Sequence, residues 1–176
     1  MADSEALQQL ADKMAITEVI HQYSDCVDRR DFTGVLDSFH DDGTYQYQEG
    51  AERIPVAMFF EAQADAGTGF RETMHHLTNI KIKLSGDTAL AQTYLLAHHR
   101  MKADCPDMPP LFPNKGKEYG VLIGGRYVDE MECREGVWKI KNRLLHFEWD
   151  LQIDAPQVVG PMAGTDGVMP DLFLQS

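Results

Sequence analysis

Residues 73–101 read TMHHLTNIKIKLSGDTALAQTYLLAHHRM, and the recurrence of their apolar residues decides the fold. Ile80, Ile82 and Leu84 alternate with Lys81 and Lys83, the period of a strand with one wet face. Ser85-Gly86-Asp87 supplies a turn, and Thr88 to Met101 then reads as a second long strand. Residues 103–118 hold Pro106, Pro109, Pro110 and Pro113 and read as a loop. A strand resumes at Tyr119, and Arg134-Glu135-Gly136 makes a tight hairpin into Val137–Trp149. Within it, Gly124-Gly125 marks a bulge or a close approach.

Upstream of Thr73 the period is helical. Ile16, Val19, Ile20, Tyr23 and Val27 share one face of a 3.6-residue repeat. Phe32, Val35, Leu36 and Phe39 repeat the pattern in a shorter helix, with Asp31 as its N-cap. Asp41-Asp42-Gly43 then turns the chain, Thr44 to Gln48 reads as a short strand, and Gln48-Glu49-Gly50 as the turn after it. Pro55 opens a further helix that carries Met58-Phe59-Phe60. Helices first and antiparallel strands after them mean an α+β fold, with helices on one face of a curved sheet.

A chain of 176 residues suits a single domain, 1–176, with its core over about 8–150 and an irregular tail over 151–176. The tail is rich in Pro and Gly, yet Val158, Val159, Met162, Val168, Met169, Leu172, Phe173 and Leu174 are expected to cap a pocket or a neighbouring subunit. With 16 Lys and Arg against 28 Asp and Glu, the net charge is −12. That charge argues against nucleic acid and anionic membranes as partners and admits a neutral or weakly polar small molecule. No stretch approaches the ~18 apolar residues of a membrane span. The opening MADSEALQQL lacks the basic and apolar regions of a secretory signal. Three separated cysteines, Cys26, Cys105 and Cys133, form no disulfide framework, which fits a cytoplasmic protein. Phosphate-cradling glycine motifs and the nucleophile elbow are absent from the sequence.

Three segments, Ala15–Phe32 (AITEVIHQYSDCVDRRDF), Thr73–Ile82 (TMHHLTNIKI) and Gly125–Arg143 (GRYVDEMECREGVWKIKNR), together resemble the SnoaL-like branch of the nuclear transport factor 2-like superfamily. The resemblance implies a cone-shaped α+β barrel of the cystatin-like kind, in which a strongly curved antiparallel sheet packs on N-terminal helices around a pocket. Within the branch the chain is similar to cofactor-free lyases: scytalone dehydratase, hexachlorocyclohexane dehydrochlorinase and bile acid 7α-dehydratase. The likeness implies an Asp–His pair, here Asp28 and His75, together with no cofactor, no metal and a homotrimeric assembly. Tyr23 stands where the dehydrochlorinase has Lys and the bile acid enzyme has Tyr, which leans toward dehydration.

The residues suit such chemistry. His has an ordinary pKa near neutrality and can take a proton next to a carbonyl. A carboxylate on its other nitrogen fixes the tautomer and stabilises the imidazolium. Asp28 lies about 120° around the helix from Ile16 and about 80° from Ile20, on the flank of the apolar stripe. His75 shares a face with Leu77 and Asn79, opposite Ile80 and Ile82 if no bulge intervenes, and His76 is its competitor on the other face. Tyr23, Tyr45 and His98 are candidates to help a hydroxyl leave, and Tyr47 to line the site. His98 rather than His99 is expected to face inward, in parity with Tyr94 and Leu96. The resemblance also offers Arg143 for substrate binding, although plain alternation puts it with Lys139 and Lys141 on the outside and His146 on the inside.

The expected function is a cofactor-independent dehydratase of a cyclic, largely apolar carbonyl compound of polyketide, steroid or aromatic type. Isomerisation and cyclisation begin with the same proton abstraction and stay open. A non-catalytic binding or assembly protein, or the small subunit of a ring-hydroxylating dioxygenase, are the competing readings.

Overall fold

The structure, a computed structural model, describes residues 2–65, 69–107 and 112–154. Its first element is the 28-residue helix α1 (Ala2–Arg29), which buries Ile16, Ile20, Tyr23 and Cys26 along one stripe. The helix ends in a left-handed residue, Arg30, at φ 59°. The Asp31 amide donates to the Cys26 carbonyl at 2.9 Å and the Arg30 amide to that of Val27 at 3.1 Å, a Schellman closure. Asp31 also N-caps α2 (Phe32–Asp37), its carboxylate accepting from the Gly34 amide at 3.0 Å.

Strand β1 (Phe39–Gln46) starts earlier than the sequence implies. Asp41-Asp42-Gly43 does not turn the chain; it distorts β1, whose register jumps between Phe39 and Thr44. The short β2 (Arg53–Pro55), which the sequence does not announce, pairs antiparallel with β1. Helix α3 (Val56–Asp65) follows Pro55 directly. Then come β3 (Phe70–Ser85), β4 (Thr88–Met101), β5 (Tyr119–Arg134) and β6 (Val137–Asp154). Glu135 and Gly136 both take positive φ, which is what a two-residue primed hairpin requires. Leu151–Asp154, read from sequence as tail, extend β6 against Tyr119–Leu122. The apolar segment from Val158 to Leu174 lies outside the described residues.

The spatial order is β2-β1-β6-β5-β4-β3, an open six-stranded sheet. Every pairing is antiparallel except β1 with β6, so the sheet is mixed. These two strands come from opposite ends of the domain, and no hairpin dictates their relative direction.

Besides the register shifts at Arg71 on β3 and within β1, three bulges steer side chains around the sheet. On β3, Asn79 and Ile80 together oppose Thr93, and Asn79 takes φ 50°. The extra residue brings Ile80, Ile82 and Leu84 onto the core face shared by His75 and Leu77, not opposite to it. On β6, Lys141 and Glu148 are each unopposed by a residue of β5. The second of these bulges lies at Gly124/Gly125. A Cβ at Gly124 would lie 2.1 Å from the Trp149 indole, and one at Gly125 would lie 2.5 Å from the His146 carbonyl oxygen.

On β4 the inward residues are mostly small: Ala89, Ala91, Thr93 and Ala97, with Leu95, His99 and Met101. Apolar bulk on this strand faces out instead, as Leu90, Tyr94 and Leu96. The parity inferred from Tyr94 and Leu96 is therefore inverted. One core cluster lies between the helices and the sheet around Ile20, Phe39, Phe60 and Ile140, and a second gathers Met101, Phe112, Tyr119 and Val121. Between them is a cavity.

Candidate active site

The last turns of α1 deliver Tyr23, Val27 and Asp28 to the concave face, and β3 delivers Thr73 and His75. Asp28 accepts three hydrogen bonds. Its Oδ1 lies 2.6 Å from His75 Nδ1 and accepts from the Thr73 hydroxyl at 2.8 Å, while Oδ2 accepts from the His75 amide at 2.8 Å. Burial works to raise the Asp28 pKa, but the bonds from His75 and Thr73 outweigh it and hold the carboxyl below its ordinary range. An ionised Asp28 is an acceptor only, so Nδ1 of His75 carries a proton and Nε2 is the nitrogen left for other partners. The His75 side chain is 7% exposed and borders the cavity.

That cavity has a volume of about 110 Å³. Ten of its eighteen lining residues are aromatic, from Tyr23, Phe32, Tyr45, Tyr47, Phe59 and Phe60 on the helical side to Phe70, Phe112, Tyr127 and Phe147. Tyr45 stacks flat on Phe59, ring centres 4.2 Å apart. Burial raises the pKa of Tyr23, Tyr45 and Tyr127, and pushes Tyr47 up to about 12. At neutral pH these four phenols are hydrogen-bond donors.

His99 takes the place on β4 expected of His98. It lines the cavity, packs edge-on to His75 at 5.3 Å and is enclosed by Phe70 and Phe112. Burial is the chief cause holding its pKa well below 6.5, with His75 adding to it, so the ring is neutral. Among the described residues, nothing hydrogen-bonds its buried Nδ1. His98 lies on the other side of β4 and does not line the cavity.

Arg143 is neither on the surface nor in the cavity wall. The Lys141 bulge turns it inward, where it is 0% exposed and grips Asp129 with two bonds of 2.7 Å. Tyr23 and Tyr127 sandwich its guanidinium at 3.9 and 4.2 Å. Burial alone would weaken its hold on the proton, but the Asp129 carboxylate more than compensates and the pKa is raised. Arg143 thus props two tyrosines of the cavity from behind. His146 points outward, half-exposed, with Nδ1 3.7 Å from Glu49, because the same bulge reverses its parity. His76 is exposed.

Among the sequence candidates, then, the structure gathers Tyr23, Tyr45, Tyr47 and His75 at the cavity, with Asp28 bonded to His75, and leaves His98, Arg143 and His146 out of its wall. Sequence reasoning passed over Tyr127 and Asp129. Their alternation with Met131 along β5 was the available signal, since all three are buried. Among the described residues, no group of three or more His, Cys, Asp or Glu is placed to hold a metal ion. No described helix is long and apolar enough to cross a membrane.

Known structures share this architecture. A type 2 hexachlorocyclohexane dehydrochlorinase superposes with a TM-score of 0.71 at 21% identity, covering 89% of this chain and 98% of its own. A type 3 dehydrochlorinase from Novosphingobium barchaimii gives 0.71 at 19%, covering 89% and 99%. A scytalone dehydratase-like protein from Novosphingobium aromaticivorans gives 0.67 at 23%, covering 92% and 97%. At these identities the likeness establishes a common fold. No curated protein sequence matches the chain. The SnoaL-like domain model matches residues 8–144, well over half of the sequence, so the chain belongs to the SnoaL-like domain family.

Proposed function

We propose that the protein is a cofactor-independent lyase that removes water from a small cyclic carbonyl compound. The observation that carries this is the 2.6 Å contact of Asp28 with His75 Nδ1, at the wall of an aromatic cavity. His75 Nε2 takes the proton from the carbon next to the carbonyl, and the C–H electron pair becomes the new double bond. The C–O bond to the neighbouring hydroxyl breaks, and a protonated donor gives that oxygen a proton so that it leaves as water. Tyr23, Tyr45, Tyr47 and Tyr127 are the donors at hand. Water then returns the donor's proton and accepts the one held by His75. Asp28 is the positioning residue, steadying the imidazolium as it forms.

A cavity of about 110 Å³ is on the scale of the ~150 Å³ voids that accept a benzene ring. This favours a single-ring substrate over a steroid or polyketide. The test is a panel of monocyclic β-hydroxy ketones, followed by the rising absorbance of the conjugated product. Turnover by the wild type and its loss in His75→Gln support the reading. Turnover undiminished in His75→Gln refutes it.

The outer sheet face exposes Tyr94, Leu96, Trp149 and Leu151, which fits burial against further copies in a homotrimer. Sedimentation as a monomer at micromolar concentration overturns that assembly. Cytoplasmic residence, the expectation from the cysteines, belongs to the same proposal.

A further inference from the structure

Arg30 stands apart from the other arginines. The chain has eight, and each of the other seven lies within ion-pair distance of a carboxylate. With 28 acidic residues available, pairing is the rule. Arg30 instead donates from Nη2 to two backbone carbonyls, Phe70 at 2.9 Å and Arg71 at 2.7 Å. Both Nη2 hydrogens are spent there. Among the described residues its three remaining N–H groups, on Nη1 and Nε, have no acceptor. The half-buried side chain lines the cavity beside Phe32, Phe70 and Thr73.

Its backbone is also out of the ordinary. Arg30 is the C′ residue of the α1 closure, at φ 59°, a position glycine fills without strain and an L-residue occupies at a cost. Strain of this kind persists where the side chain is needed. Here it puts a fixed, always-charged fork with free donors at the edge of a cavity lined mostly by aromatic and aliphatic side chains.

We infer that Arg30 is a ligand-binding residue and that the substrate carries a carboxylate which this guanidinium receives. The inference rests on the proposal that the cavity is a ligand site. Arg71 lies four residues before His75 on the strand, about 13 Å along the backbone. The carboxylate therefore anchors the ligand at a distance from the reacting carbon, with the ring held among the aromatic side chains. The net charge of −12 opposes the approach of an anion, but beyond about 8 Å salt screens it, and the contact with Arg30 decides binding.

The test compares 3-phenylpropanoate with its neutral isostere 3-phenylpropanamide. Calorimetry measures their affinities for the wild type, Arg30→Gln and Arg30→Gly, and imidazole resonances of His75 report where they sit. The wild type should bind the acid at least about tenfold more tightly than the amide. Both variants should bind the two probes equally, with the affinity for the amide unchanged. Arg30→Gly trades relief of the left-handed backbone against loss of the bonds to Phe70 and Arg71, so the acid-to-amide affinity ratio, and not the melting temperature, is the readout. A merely structural clamp predicts both probes weakened alike, and that result overturns the inference. Equal binding of both probes by the wild type overturns it while leaving the lyase proposal standing. If the wild type binds neither probe at the cavity, the reading of the cavity falls, and Arg30's role with it.

Discussion

Breaking the Arg143–Asp129 pair tests whether the architecture behind the cavity is understood. Both side chains are 0% exposed, and two 2.7 Å bonds join them. Arg143→Met leaves the Asp129 charge buried without its partner, which costs about 3–5 kcal/mol. Asp129→Leu leaves the guanidinium in the same position, relieved only in part by the faces of Tyr23 and Tyr127. For a chain of this length each kcal/mol moves the melting temperature by about 2–4 °C, so either single variant should melt about 6–20 °C below the wild type. The double variant replaces two charges with apolar groups of similar volume and should return to within about 1 kcal/mol of the wild type. Urea unfolding of all four proteins at pH 7 measures the coupling directly. Because the pair is buried, 1 M salt should hardly change the result. A single-variant cost below about 1 kcal/mol, or a double variant that loses the sum of the two, refutes the reasoning.

Four further outcomes follow from the geometry. Asp28→Asn should free the tautomer of His75, which 15N shifts of the ring will show, and should lower turnover by about 10³–10⁴-fold. The same carboxyl titrates below its ordinary range when folded, so its contribution to stability is complete above the unfolded pKa and is lost as pH falls through the folded one; urea midpoints should decline more steeply on the acid side in the wild type than in Asp28→Asn. His99→Phe removes a buried nitrogen that has no partner among the described residues and should raise stability by about 1 kcal/mol in a denaturant titration, at the expense of activity. Gly125→Ala meets the His146 backbone and should cost more, about 2–3 kcal/mol, than Gly124→Ala, where the half-exposed Trp149 side chain can swing aside; comparing their melting curves checks the order.

Much of the fold is legible before any coordinates. The stripe from Ile16 to Tyr23, the Asp31 cap, both ends of β4 and the Glu135-Gly136 hairpin follow from local chemistry that tertiary contacts do not override. The positions of Asp28 and His75 were legible only through the family motif, because nothing local says that a helix end and a strand start will meet. Side-chain parity was not legible wherever a bulge intervened. Asn79 and Lys141 carry no mark that separates them from ordinary strand residues, yet they decide that Ile80 and Arg143 face in and His146 faces out, whereas the bulge at Glu148 is marked on the facing strand by Gly124-Gly125. The parity of His99 was not legible for another reason: β4 buries small residues such as Ala89, Ala91 and Ala97 and exposes Leu90, Tyr94 and Leu96, so bulk ceases to be a guide to burial. The parallel contact of β1 with β6 depends on a connection spanning most of the domain, which no window of sequence contains.

The two bulges on β6 have a consequence for how this cavity can change. They bracket Arg143 to Phe147, so this stretch of strand, which gives Leu145 and Phe147 to the cavity wall, is held in phase by one surplus residue on either side. Deleting Lys141 would rotate the stretch by half a period, exchanging Arg143 and Leu145 for their outward neighbours without altering a single side chain. Length is thus a second alphabet for this site. Descendants of one ancestor can acquire unlike interiors through a lost or gained codon, and aligning them residue by residue across β6 will match inner positions with outer ones.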